Sequence, residues 1–194
     1  IGFMQNSSNY SFIDNKVINI KSELLCREAE DDFYYFNKIN EAYKKLTQAV
    51  RLTPTHLKSI ILLADICFIK GKIKKALNLY SIAKNISPNN SKITAAIANC
   101  YYVLGNYAQA LIYIEESIKK INLENCELYS QLLEIKINIL FEQKKYKEAY
   151  STFINFKNNL KKISFITDYN INYELLSKKI DLQKKVQKSN LKIV

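Results

Sequence analysis

Two stretches of the chain carry small and apolar residues in the same order. GKIKKALNLYSIAKNISPNN opens at Gly71, and GNYAQALIYIEESIKKINLEN opens 34 residues later at Gly105. Frames of 34 residues starting at Glu23, Leu57 and Ser91 make the repetition explicit. Position 20 is then Ala42, Ala76 and Ala110, and position 27 is Ala49, Ala83 and Ser117. Position 24 holds a large side chain each time: Leu46, Tyr80 and Ile114. Small residues suit places where two helices approach closely, and large apolar ones suit places where they interlock. Position 15 is Asn37, Gly71 and Gly105, where a first helix ends in a left-handed residue. Position 32 is Pro54, Pro88 and Asn122, where a second helix stops. Each frame is thus predicted to be a helical hairpin of about 14 plus 14 residues, repeated along the chain.

A fourth unit is visible in KINILFEQKKYKEAYSTFINF, where Tyr146 and Ala149 answer Tyr107 and Ala110. The spacing there is 39, which places about five extra residues near Leu123 to Tyr129. Lys144 stands where the second and third units have glycine. Residues 1–20, with QNSSNYSF, read as a polar extension or a partial helix. From Thr167 to Ser189 the chain is amphipathic, with Tyr173, Leu176 and Ile180 on one line and Lys178, Lys179, Lys184, Lys185 and Lys188 around it. A polar-backed last helix would cover the apolar face that a terminal repeat leaves open, and a partner-binding helix is the alternative reading.

This pattern of small, large, glycine and proline positions resembles the tetratricopeptide repeat, a helix–turn–helix family of the same period. The resemblance covers roughly residues 21–162 and lacks the tryptophan common at position 4, where Cys26, Ile60, Thr94 and Leu133 stand. It implies an all-α, right-handed α-solenoid of about four hairpins (23–56, 57–90, 91–124 and 130–162), with a basic amphipathic capping helix over 163–194. At least seven helices and no sheet are expected. The resemblance also implies that the first helix of each hairpin lines a concave groove. Positions 2, 5, 9, 12 and 13 would face it.

Candidate groove residues are Lys58, Ile61, Leu62, Asp65 and Phe68 in the second hairpin, Lys92, Ala95, Asn99 and Tyr102 in the third, and Asn138 in the fourth. Position 9 reads Asp31, Asp65, Asn99 and Asn138, a ladder of side-chain acceptors that could serve an extended peptide. Asp31 depends on the frame, because Ala29 would fit position 8 better than Glu30. One ligand type known in the family, a chaperone C-terminal carboxylate, needs a clamp of lysines, asparagines and arginine. The matching positions here are Arg27, Asp31, Leu62, Lys92 and Ala96, so no such clamp is expected.

The net charge of +11 admits two readings. Of 29 basic residues only Arg27 and Arg51 are arginine, the residue suited to bidentate phosphate contacts. Lysine, isoleucine, asparagine and tyrosine are high together, as A+T-rich coding produces. The lysines are therefore either a solvated surface or a site for nucleic acid or an acidic surface, with clusters at Lys70/Lys72/Lys74/Lys75 and Lys144/Lys145/Lys147. Cys26, Cys67, Cys100 and Cys126 form no C-x-x-C pair, and His56 stands apart from them, so no zinc site and no cofactor are expected. Isolated cysteines in apolar surroundings suggest a reducing, cytoplasmic compartment. No hydrolase, phosphate-loop or metalloprotease motif is present, and no apolar run reaches the ~18 residues of a membrane span. The sequence reads as a non-catalytic scaffold for protein–protein interaction, binding a peptide segment or helix, on its own or as an accessory domain of a longer chain.

Overall fold

The computed structural model describes residues 3–121, 126–162 and 181, and among these the side chains of 14–121, 127–155 and 181. The described residues form eight helices and no strand: α1 (Phe3–Tyr34), α2 (Ile39–Leu52), α3 (Leu57–Ile69), α4 (Ile73–Ile86), α5 (Ser91–Val103), α6 (Tyr107–Lys120), α7 (Cys126–Glu142) and α8 (Tyr146–Lys162). They pack as four successive antiparallel hairpins, each leaning on the next through α2 and α3, α4 and α5, and α6 and α7. Residues 3–20 belong to α1, which runs on without a break into the first hairpin. The capping helix expected over 163–194 lies outside the described residues. Among the described residues no helix is long and apolar enough to cross a membrane.

The small residues sit where the repeat predicts. Ala42, Ala76 and Ala110 are fully buried at hairpin crossings, as are Ala49, Ala83 and Ser117 two turns further along the same face. Leu46, Tyr80 and Ile114 fill the space between them. Two buried hydroxyls are satisfied across the hairpins: Ser22 donates to the Ala49 carbonyl at 3.0 Å and Ser117 to the Ser91 carbonyl at 2.8 Å.

Position 15 takes a left-handed backbone in all four hairpins: Asn37 (φ +50), Gly71 (+70), Gly105 (+73) and Lys144 (+58). Behind it, the N–H of Lys72 bonds to the Cys67 carbonyl, Asn106 to Tyr101 and Lys145 to Leu140. This six-residue closure satisfies carbonyls that the helix end would otherwise orphan. Only glycine adopts such a φ without a steric penalty. Lys144→Gly should therefore raise stability by about 0.5–1 kcal/mol, the relief of strain outweighing glycine's extra freedom in the unfolded chain. Gly71→Ala should lower it by a similar amount, since an added Cβ there meets nothing within 4 Å and only backbone strain acts. Urea melts of the two variants check both signs.

The first turn departs from the other three. Lys38 N–H reaches back to the Asp32 carbonyl, one residue further than its counterparts. Upstream of this turn the register is shifted by one. Ala29, fully buried, takes position 8 beside Ala64 and Ala98, and Glu30 takes position 9. Asp31, assigned to the acceptor ladder from a strict 34-residue frame, is instead exposed.

Candidate functional site: the face of the first helices

With the register corrected, the first helices present columns whose exposure repeats from hairpin to hairpin. Position 2 is Glu23, Lys58, Lys92 and Gln131, all exposed. Position 9 is Glu30, Asp65, Asn99 and Asn138, all half-buried. Position 12 is aromatic in every hairpin: Phe33, Phe68, Tyr102 and Phe141, all half-buried. Position 13 is Tyr34, Ile69, Val103 and Glu142, all exposed, with the first three at 63%, 56% and 51%. A polar column therefore runs beside an aromatic column and a largely apolar exposed one.

The expected groove residues divide on this surface. Lys58, Ile61, Asp65, Phe68, Lys92, Asn99, Tyr102 and Asn138 are exposed or half-buried. Leu62 and Ala95 are not available to a ligand: at 4% and 6% exposure they pack between helices. Glu30, Phe33 and Tyr34 were missed because the strict 34-residue frame was carried through the first turn, where Ala29 was the one hint of an extra residue. Phe141, Glu134 and Glu142 were missed because the fourth hairpin is the most divergent; the recurrence of an aromatic residue four before each turn donor was the available signal.

The polar column is not uniform. Glu30 is held by Lys58 at 2.8 Å. Asp65 accepts from the Tyr80 hydroxyl at 2.5 Å. Burial pushes the Asp65 carboxyl above the usual carboxylate range, and the Tyr80 bond partly offsets this. Tyr80 itself is pushed well up by its burial and by the carboxylate it serves. The side-chain amides of Asn99 and Asn138, by contrast, have no hydrogen-bond partner among the described residues. The second hairpin thus spends its polar group internally, and the third and fourth leave theirs open.

Other groups that might carry chemistry are structurally committed. His56 Nε2 lies 2.8 Å from Glu23 and its Nδ1 lies 2.6 Å from Ser59 Oγ. This serine–histidine–glutamate line cannot act on a substrate, because Ser59 is fully buried. It ties α1 to the α2–α3 loop. Beside it, Ile20, Leu24, Arg27, Thr53 and Thr55 line an open corner of about 630 Å³. Cys26, Cys67 and Cys100 are free and buried, and burial together with Asp65 pushes the Cys100 thiol up to about 12. Among the described residues no group of His, Cys, Asp and Glu could hold a metal ion.

The lysines at the second turn join two hairpins. Lys72 and Lys75 lie 5.0 and 5.1 Å from the centre of the Tyr43 ring, and Lys75 also donates to its hydroxyl. Lys70 donates to Asn40 at 2.6 Å. Cation–π contacts of this kind stabilise by about 0.5–1 kcal/mol at exposed sites, which gives this cluster a use that needs no ligand.

Solved structures share the arrangement. MamA superposes with a TM-score of 0.67 at 15% identity, over 79% of this chain and 88% of that one. YrrB, described as a TPR protein with an unusual peptide-binding site, superposes with a TM-score of 0.57 at 16% identity, over 70% of this chain and 66% of that one. The chain folds as a tetratricopeptide-repeat solenoid. PilF of Pseudomonas aeruginosa gives a TM-score of 0.61 at 16% identity, over 81% of this chain and 66% of that one. In sequence, the TPR solenoid is 26% identical over 101 residues to the BBSome complex member BBS4 of Bos taurus. That match takes in 52% of this chain and 19% of BBS4. No family model matches the chain.

Proposed function

We propose that the chain is a non-catalytic scaffold that holds a peptide segment or helix of another protein against the first helices of its repeats. One observation carries this reading: half-buried polar residues at position 9 run alongside exposed Tyr34, Ile69 and Val103 at position 13. A polar column with open amides can meet a partner's backbone, and an adjacent apolar column can take its side chains. That YrrB is described by a peptide-binding site, and BBS4 as a member of a protein complex, supports the same reading.

The test uses partners captured by the wild-type chain from its native host. Val103→Asp and Asn99→Ala should each release those partners while leaving the melting temperature nearly unchanged, since both side chains are accessible. Lys44→Ala, at an exposed site on α2, should release nothing. Loss of partners with Lys44→Ala and not with the other two would place the interaction on the other face. Recovery that disappears on nuclease treatment would favour nucleic-acid binding instead.

A further inference from the structure

The open half of the groove has a chemistry of its own. At the third and fourth hairpins, Tyr102 packs its ring 6.0 Å from that of Tyr107, and one hairpin on Phe141 packs 5.7 Å from Tyr146. The fourth hairpin adds Glu134 at position 5 and Glu142 at position 13, where the second and third have Ile61 and Ala95, then Ile69 and Val103. Both glutamates are exposed and neither forms an ion pair among the described residues, although Lys144 and Lys145 follow Glu142 at the turn. Both act on Tyr102: its hydroxyl is pushed up by burial first, then by Tyr107, Glu142 and Glu134. Lys92 lies ten residues away at the other end of α5, roughly 15 Å along the axis, beyond the ~8 Å reach of charge at physiological salt. On a chain with net charge +11 these are two carboxylates beside an aromatic pair, with Lys136 of the same helix already held by Glu115.

We infer that this end of the groove seats a lysine or arginine side chain of a partner segment, on the Tyr102 ring and between the Glu134 and Glu142 carboxylates, with apolar neighbours lying on Val103 and Ile69. An aromatic face attracts a cation through its quadrupole, and two carboxylates nearby add to the attraction. The inference deepens the scaffold reading and rests on it. It assigns the partner a basic, apolar-flanked segment, and it assigns Asn99 and Asn138 to that segment's backbone.

A random library of fluorescein-labelled 12-residue peptides, selected on the full chain, tests it. Selection should enrich lysine or arginine at one position, next to apolar residues. Replacing that arginine by citrulline should weaken binding about tenfold, as should Glu134→Gln with Glu142→Gln, and the two losses should not add. Both glutamates are exposed, so the paired variant should melt like the wild type. Selected peptides that depend on Asn99 and Val103 but show no cation preference would overturn this inference and leave the scaffold reading standing. Peptides indifferent to Asn99→Ala and Val103→Asp would overturn both. A photo-crosslinking residue at Val103 that captures the chain's own Lys-rich 163–194 segment, or a second copy, instead of the peptide would also overturn it.

Discussion

Replacing Ile114 by alanine should lower stability by about 2–5 kcal/mol, the range for emptying a fully buried aliphatic site. Ile114 is fully buried among Ala95, Ala98, Ala110, Leu132 and Ile139. Three of those five neighbours are alanines. Their single methyl groups have no rotamer with which to collapse into the vacated space, so the loss should fall in the upper part of that range. A urea melt should show a lower midpoint with an unchanged slope. Ile112→Ala, two residues away and 57% exposed, should cost no more than about 0.5 kcal/mol. Similar losses from the two changes would mean that α6 is rotated from the position described.

Tyr80→Phe should lower stability at neutral pH by about 1.5–3 kcal/mol, the usual worth of a hydrogen bond to a charged group. The ring stays and the packing is kept; only the donor to Asp65 goes. The pH dependence has a definite sign. Burial raises the Asp65 carboxyl in the folded state, so its contribution favours folding below the ordinary carboxylate range and is lost as pH rises through the folded value. Without the Tyr80 hydroxyl the charged form is disfavoured further. The penalty of the variant should therefore be larger at about pH 7 than in acid, at a pH low enough for the carboxyl to take up its proton. Asp65→Asn keeps an acceptor for Tyr80 and removes the buried charge, so it should melt at or above the wild type at neutral pH. Equal Tyr80→Phe penalties at both pH values would show that Asp65 is as well solvated as an ordinary surface carboxylate.

Much of the fold was legible because glycine, proline and alanine are constrained by backbone and packing alone. Gly71 and Gly105 mark left-handed turns, and Ala42, Ala76 and Ala110 mark close helix crossings, whatever surrounds them. The first hairpin was harder because Asn37 makes the same turn without glycine, and the extra residue before it shows only in the placing of Ala29. That slip moved the acceptor from Glu30 to Asp31 and hid Phe33 and Tyr34. Asp65 was placed on the correct helix face, yet its commitment to Tyr80 depends on a contact between two helices. The hint was chemical: a tyrosine stands at position 24, where the neighbouring repeats have Leu46 and Ile114, and a buried phenol needs a partner.

The first helices of the hairpins also join the cores. α5 sends Ile93, Ile97 and Cys100 into the cluster that spans the first three hairpins, and Ala95 and Ala98 into the next one. α7 likewise divides Leu132 and Ile139 from Ile137 and Leu140. A segment laid across α3, α5 and α7 would therefore cross the seams like a batten nailed over boards. Flexing the array at a seam would change the spacing of the side chains that grip the segment, and a gripped segment would resist the flexing. Occupancy and curvature would then vary along a single elastic coordinate, and tension applied to the ends of the array would be felt by whatever it holds.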